Sequence, residues 1–260
     1  MMAADNLLII ANLVAERAKT NPDLDVLNFE HQGAVETRAY RQLWENGQRL
    51  AAGLAGLGVQ KGDRFALLIQ NHPEFVELMV ASSIIGSVFV PIDPRTRGDK
   101  LAYMLRDSGC LGAICADYSL ADAVAVCGDC PDMAWAAVIG DTVAPSDTLP
   151  VHTLKDWLSA PLPCPLLPVA VESEAEPMQL MYTSGTTGDP KGIVVPHGRF
   201  GAVSGHGEAV FGYRAGDRPY TGLSLTHGNA QFVTLAPSLK MGLRAVFSRK
   251  FTKSRLWDIV

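Results

Sequence analysis

The chain has 260 residues, of which 48% are hydrophobic and 19% are charged, a balance typical of one large or two small globular domains. Its net charge of −5 and the absence of a Lys/Arg-rich run argue against a nucleic-acid-binding protein. Five cysteines include one C-x-x-C pair, Cys127 and Cys130, but neither a second pair nor a nearby histidine completes a zinc site. We therefore expect free thiols in a reducing cytosol.

The N-terminal segment predicts a helix rather than a signal peptide. Asp5 precedes the apolar run at residues 7–10, and charged residues follow it closely, so the spacing indicates an amphipathic helix that ends at Asn21. A longer apolar stretch, residues 75–92, is interrupted by Glu77 and Gly86 and is too short on either side to span a bilayer. We expect no membrane span and a cytoplasmic location.

Helix and strand patterns then alternate along the chain. Leucines lie on one face of a helix predicted from Tyr40 to about Gly58, and a buried strand follows at residues 65–69. Asn71 and Pro73 are typical of a helix start, and Gly86 is typical of a helix end. Further strands are predicted at residues 87–92, 111–116 and 135–139. Apolar strands that are each followed by a helix predict an α/β fold with a mainly parallel sheet covered on both faces.

A segment rich in proline and glutamate interrupts this alternation. Residues 161–177 contain five prolines and three glutamates, which disfavour a helix or a central strand. We interpret residues 1–160 as a first α/β lobe, 161–177 as a connector, and 178–260 as the start of a second α/β lobe. The alternative is a long surface loop within one domain.

Residues 182–192, with the sequence YTSGTTGDPKG, carry the strongest chemical signal. Glycines allow backbone N–H groups to approach an anion closely, hydroxyl groups add donors, and a lysine adds positive charge. The segment lies between two apolar stretches that predict buried strands, residues 178–181 and 193–195. It differs from the common P-loop and from the kinase glycine-rich loop. The alternative is an exposed hairpin turn, but such turns are usually shorter. The residues predicted to hold the phosphates are Thr183, Ser184, Gly185, Thr186, Thr187, Gly188 and Lys191.

The segment from Thr183 to Gly192 resembles the phosphate-binding signature of the adenylate-forming superfamily, which includes acyl-CoA synthetases, luciferases and peptide-synthetase adenylation domains. The resemblance extends over essentially the whole chain and includes residues 88–94 and 223–228. It implies two lobes, each a mainly parallel sheet flanked by helices, with the second lobe incomplete. It also implies that ATP activates a carboxylic acid to an acyl-adenylate, and that coenzyme A then takes the acyl group. ATP, Mg²⁺ and coenzyme A are the expected cofactors, and the residues identify no magnesium ligand.

The same resemblance assigns roles to particular residues. Thr186, Lys191 and His227 are the expected catalytic residues, and His227, Gly228 and Asn229 are the expected contacts to the substrate. The alternative for His227 is a histidine at the start of a helix over residues 228–240, after a strand at residues 222–225. An aromatic residue commonly precedes this histidine in the family, whereas this chain has Thr226.

The segment around His227 also narrows the class of acid that is expected as the substrate. Relatives that activate amino acids place an aspartate here to pair with the ammonium group, but no carboxylate lies between Leu223 and Leu235. A buried ammonium without a partner is costly, so a plain carboxylic acid is favoured. Asn229 and Gln231 are expected to face either a polar acyl group or solvent.

The other histidines carry weaker expectations. His197 is interpreted as a helix-start residue, and the remaining four are expected to have no notable partners; these are His31, His72, His152 and His206.

Relatives continue beyond the last residue of this chain, which lies inside a helix predicted from about Thr252. The expected partners are therefore a small carboxylic acid and the missing C-terminal part of the enzyme, with a homo-oligomer left open. The alternative class is a non-catalytic, truncated nucleotide-binding homologue or half of a split enzyme. An unrelated phosphotransferase is disfavoured because no catalytic aspartate motif accompanies the loop.

Overall fold

The structure is a computed structural model that describes residues 6–140, 146–183 and 189–251. The α-helices are α1 (Ile10–Thr20), α2 (Tyr40–Gly56), α3 (Pro73–Ile85), α4 (Gly98–Ser108), α5 (Asp117–Val126), α6 (Leu154–Ser159), α7 (His197–Ser204) and α8 (Ala236–Met241). The strands are β1 (Asp25–His31), β2 (Ala34–Ala39), β3 (Arg64–Leu68), β4 (Val88–Pro91), β5 (Cys110–Ala116), β6 (Trp135–Ile139), β7 (Val151–Thr153), β8 (Pro177–Thr183), β9 (Lys191–Pro196), β10 (Tyr220–Thr221) and β11 (Ala245–Ser248). A 3₁₀ turn (Cys127–Asp129) and a π-helix (Ala230–Leu235) complete the described elements.

The strands form two mixed, mainly parallel sheets. The seven-stranded sheet has the order β7-β6-β5-β3-β4-β8-β9 and is parallel except between β8 and β9. The four-stranded sheet has the order β10-β11-β1-β2 and is parallel except between β1 and β2. Helices flank the sheets, so the predicted α/β class is confirmed.

The sheets do not follow the predicted division of the chain. β8 and β9 lie after the connector, yet β8 pairs with β4 through Phe89 and Gln179. Conversely, β1 lies near the N-terminus and pairs with β11 from Leu27 to Glu30. Each sheet therefore takes strands from both sides of residues 161–177, and the division into two lobes stays a prediction.

The local signals placed α1 to α3 and β3 to β6 close to their observed bounds, whereas β1 and β2 were not predicted. α2 ends at Gly56 rather than Gly58, and its leucines on the predicted face are buried. α3 has Pro73 in its first turn and ends at Gly86, whose φ of 75° suits glycine. One expectation was wrong: β9 is a strand but not a buried one, because it lies at an edge of the described sheet with Ile193 and Val194 about half exposed.

The proline-rich connector has no helix or strand between α6 and β8, but it is held against the first helices. The Gln48 side chain donates to the carbonyl of Leu167 and accepts from its N–H. Lys61 donates to the carbonyl of Ala170, and Val171 is buried. Side chains from α2 and the turn after it therefore satisfy the connector backbone where proline prevents regular structure.

Within the described ranges, no helix is long and apolar enough to cross a membrane.

Gly112 in β5 is required by the ring of Trp135, its partner on β6. A Cβ at position 112 would lie 2.2 Å from Trp135 Cδ2, and Trp135 is buried beside Phe65.

We expect Gly112→Ala to lower the free energy of unfolding by roughly 1–3 kcal/mol, because the ring must move within a packed core. Denaturant unfolding measures this change. Gly128→Ala is the matched control, since among the described residues no atom lies within 4 Å of the position that a Cβ would take there. Equal effects of the two substitutions would contradict the prediction.

His197 begins α7, as predicted from the sequence, and it is only 1% exposed. Neither ring nitrogen has a hydrogen-bond partner in the described part of the chain. Burial lowers the pKa of His197 from 6.5 to about 4, although Glu176 opposes this shift. Between these two pH values the unfolded state binds more protons than the folded state, so this histidine destabilises the fold as the pH falls.

We expect the stability of the protein relative to a His197→Leu variant to fall by roughly 2 kcal/mol between about pH 7.5 and about pH 5. Urea unfolding of both proteins across this pH range measures the difference between their free energies of unfolding. Other titrating groups contribute equally to both proteins, so their effects cancel. A difference that stays constant with pH would show that His197 is not buried in its neutral form.

Candidate active site

A cavity of about 650 Å³ lies at the carboxyl ends of β4 and β8. Pro91 and Asp93 border it at the end of β4, and Met181 to Thr183 border it at the end of β8. Thr226, His227 and Gly228 close another side. Ligands of open α/β sheets bind at this end of the strands, so the sheet places the cavity where a substrate site is expected.

β8 and β9 form an antiparallel hairpin that borders this cavity, and we name it the phosphate hairpin after the role predicted for its loop. Thr183 pairs with Lys191 and borders the cavity, as does Pro190. Lys191 itself is exposed at the start of β9. The remaining loop residues predicted to hold phosphate lie outside the described residues and stay predictions; these are Ser184, Gly185, Thr186, Thr187 and Gly188.

Tyr182 attaches the base of this hairpin to α4. Its hydroxyl lies 2.6 Å from Asp107 Oδ2 and 3.2 Å from the carbonyl oxygen of Met104. Burial raises the pKa of Tyr182, and the bond to Asp107 raises it further, so the hydroxyl stays protonated and donates. The strand that enters the loop is therefore held in one position relative to the cavity wall.

The cavity lining carries more positive than negative charge. Lys100 in the first turn of α4 and Arg199 on α7 both border it, and the Arg199 guanidinium lies 6.0 Å from the centroid of the Phe232 ring. Sequence reasoning missed both cations, because neither belongs to a recognisable motif and only the fold brings them together. Two cations beside a phosphate hairpin suit a polyanionic ligand.

Asp93 is the acidic residue among those that line the cavity. Arg95 makes a two-point ion pair with it, at 3.0 Å to Oδ1 and 2.6 Å to Oδ2. The Arg95 hydrogen bond holds the pKa of Asp93 below its usual value, and His227 contributes to the same shift. Asp93 lies outside residues 223–235, the segment from which the sequence disfavoured an ammonium substrate, so the sequence interpretation overlooked this carboxylate. Asp93 pairs with Arg95, whose side chain is exposed.

The segment that carries His227 differs from the expected strand and helix. β10 lies at Tyr220–Thr221, before the predicted strand, and a π-helix precedes α8. Pro237 lacks the N–H that would bond to the Val233 carbonyl in an α-helix, and the Tyr213 hydroxyl donates to that carbonyl at 3.2 Å instead. The proline thus explains why the predicted helix over residues 228–240 is not regular.

Asn71 holds this segment in place. Its Nδ2 donates to the carbonyl oxygens of Leu223 and Ser248, both at 2.9 Å, and its Oδ1 accepts from the Leu225 N–H at 2.7 Å. His227 is exposed and borders the cavity with Gly228, whereas Asn229 is exposed and is not among the cavity-lining residues. The roles assigned to these three residues stay predictions.

Gln231 faces neither a substrate nor solvent, so both sequence interpretations of it were wrong. Its side chain is fully buried, accepts from Gln179 Nε2 at 2.8 Å, and donates to the carbonyl of Leu225 at 2.7 Å. This pairing joins β8 to the π-helix and satisfies two buried amides.

The prediction that His72 has no notable partner was also wrong. Its Nε2 lies 3.0 Å from the hydroxyl of Tyr118, and the two rings are stacked with centroids 6.2 Å apart.

The five cysteines are free, as expected. Within residues 6–140, 146–183 and 189–251, no group of three His, Cys, Asp or Glu residues could hold a metal ion.

Known proteins and a solved structure resemble this chain over most of its length. Human long-chain fatty acid transport protein 1 is 29% identical over 227 residues, which are 87% of this chain and 35% of that protein. Medium/long-chain-fatty-acid–CoA ligase FadD6 of Mycobacterium tuberculosis is 30% identical over 254 residues, which are 96% of this chain and 40% of the relative. The inhibitor-bound crystal structure of the N-terminal domain of FACL13 from Mycobacterium tuberculosis superposes with a TM-score of 0.77 and 28% identity, covering 96% of this chain and 59% of that one.

The chain thus spans less than half the length of these two curated relatives. The family model described as "AMP-binding enzyme" matches residues 14–260, and the chain belongs to that family.

Proposed function

We propose that the protein is an acid–CoA ligase, which activates a carboxylic acid with ATP and transfers the acyl group to coenzyme A. The observation that carries this proposal is the cavity beside the phosphate hairpin, where Thr183, Lys100 and His227 meet. The family supports ATP and coenzyme A as substrates. The activity belongs to the whole protein, and the partners we propose are the acid and the C-terminal part that relatives possess. A cytoplasmic location is part of the proposal.

In the first step, a carboxylate oxygen attacks the α-phosphorus of ATP and pyrophosphate leaves, which gives the acyl-adenylate. Two anions must approach each other, so charge neutralisation and positioning dominate catalysis. The loop at residues 184–188 and Lys191 would hold the β- and γ-phosphates. Lys100 and Arg199 would offset charge at the cavity wall, and His227 would donate a hydrogen bond near the carboxylate.

In the second step, the sulfur of coenzyme A attacks the acyl carbonyl carbon and AMP leaves. Mg²⁺ would neutralise part of the triphosphate charge when bound. The described residues contain no ligand cluster for it, so we derive no step through the ion.

The cavity favours an acid with an apolar body. Apolar side chains from β8, β9 and the π-helix border the cavity, namely Met181, Ile193, Val195 and Phe232. The lining cations, Lys100 and Arg199, disfavour an ammonium group, which matches the expectation of a plain carboxylic acid. The similarity to a medium/long-chain-fatty-acid–CoA ligase supports a fatty acid.

Carboxylate-dependent exchange of labelled pyrophosphate into ATP tests this function in the protein as its gene encodes it. We expect exchange with medium- or long-chain fatty acids and none with α-amino acids. Binding of ATP without exchange for any acid would instead support the alternative, a non-catalytic nucleotide-binding homologue. Exchange with amino acids alone would contradict the proposed substrate class.

A further inference from the structure

A second cavity, of about 470 Å³, lies at the carboxyl ends of β3, β5 and β6, away from the phosphate hairpin. Gln70 follows β3, Asp117 and Tyr118 follow β5, and Ile139 ends β6. The facing wall comes from the other sheet, where His31 ends β1 and Arg249 follows β11. The carboxyl ends of strands from both sheets therefore converge on this cavity.

The topology of the larger sheet marks this position as a ligand site. The order β4-β3-β5-β6-β7 is the doubly wound order in which the chain moves from β3 to one side and then, from β5 onward, to the other. α3 packs with α2 on one face of the sheet, whereas α5 packs with α4 on the opposite face. The loops after β3 and β5 thus diverge and open a crevice at the topological switch point, where open α/β sheets bind ligands.

The chemistry of the crevice favours an anion. Arg249 contributes a guanidinium whose Nε is buried without a hydrogen-bond partner in the described part of the chain. Burial, together with the nearby charges of Arg249 and His31, lowers the pKa of His72 to about 3. The Asp117 N–H and its neighbours at the N-terminus of α5 add a partial positive charge.

Two carboxyl groups near the crevice oppose this positive charge, and Asp117 is itself a lining residue. Asp117 lies at the rim and accepts the N–H of Tyr118. Glu74 Oε2 lies 3.9 Å from His72 Nδ1, but burial and the neighbouring Glu77 raise the pKa of Glu74 to about 7. Glu74 is therefore partly neutral at physiological pH.

The crevice is also held in a fixed shape. The Tyr118 hydroxyl accepts the N–H of Gln70 at 2.8 Å and lies 3.0 Å from His72 Nε2. Asn71, between Gln70 and His72, bonds to the carbonyl of Ser248 and so fixes the chain beside Arg249. A preformed crevice loses little conformational entropy when a ligand binds.

We propose that this crevice binds a phosphate-class oxyanion, held by the guanidinium of Arg249, the imidazole of His31 and the N-terminus of α5. The ligand is either inorganic phosphate or the phosphoryl group of a larger metabolite. The site is separate from the cavity beside the phosphate hairpin, and it does not depend on the proposed ligase activity.

Side-chain ¹H–¹⁵N NMR of the histidines tests the site directly, because His31 and His72 both line it. Titration with inorganic phosphate should shift their ring signals in a saturable manner. Arg249→Ala should weaken this binding about tenfold or more, since a charge-assisted pair is lost. Arg249→Lys should weaken it less, because the charge is kept. Arg244→Ala is the matched control, an exposed arginine at the other end of β11, and it should leave the affinity unchanged.

A parallel titration with glycerol 3-phosphate distinguishes the two sources. Equal affinities would indicate a site for the free anion, and tighter binding of the monoester would indicate the phosphoryl group of an organic ligand. Lys191→Ala should leave the shifts of His31 and His72 intact, which separates this site from the phosphate hairpin. Absence of saturable shifts in the unmodified protein, or equal affinities for the unmodified protein and Arg249→Ala, would overturn the proposal.

Discussion

Asn71→Ala should lower the free energy of unfolding by roughly 3–5 kcal/mol, because two buried hydrogen bonds and one partly buried hydrogen bond are lost together. Asn71 is 2% exposed and joins the end of β3 to Leu225 and Ser248. Its removal leaves two carbonyl groups and one N–H without this partner, and the groups of Leu225 and Ser248 are buried. Urea unfolding followed by circular dichroism measures the change.

The matched control is Asn229→Ala, which alters an exposed asparagine in the same part of the fold. We expect that substitution to change stability by less than about 0.5 kcal/mol. Similar losses in the two variants would show that Asn71 does not join the two sheets. Because Asn71 also fixes the segment before His227, the His227 side-chain NMR signal should shift in Asn71→Ala at temperatures where the protein remains folded.

Lys191→Ala should lower the rate of carboxylate-dependent pyrophosphate exchange about 100-fold, because the positive charge that we propose beside the phosphates is removed. Lys191 begins β9 opposite Thr183, and the Thr183 hydroxyl lies 3.4 Å from the Lys191 carbonyl oxygen. The backbone of the residue is thus fixed at the base of the loop, while its side chain is exposed.

Lys19→Ala, an exposed lysine in the last turn of α1, is the control and should leave exchange unchanged. Circular dichroism should show that both variants keep the fold, since neither lysine is buried. Undiminished exchange in Lys191→Ala, or an equal loss in Lys19→Ala, would remove Lys191 from the proposed mechanism.

The sequence by itself determined several local elements, such as α2 and α3, and the chemical motif. Pro73 and Gly86 set the ends of α3 because proline lacks an N–H and glycine tolerates a positive φ. The run from Thr183 to Gly192 could be interpreted in isolation, because phosphate recognition by glycine, hydroxyl and lysine needs only neighbouring residues. Signals of this kind depend on short-range geometry, which a single sequence displays directly.

Tertiary structure alone decided which strands are neighbours and which charges meet. Phe89 pairs with Gln179 and Leu27 with Ala245, and no local pattern encodes either pairing. Lys100 and Arg199 meet at one cavity only because α4 and α7 are placed around the β8–β9 hairpin. The crevice beside Arg249 likewise requires both sheets. Such contacts depend on how buried surfaces pack over long separations in the chain, so they become visible only when the chain is folded.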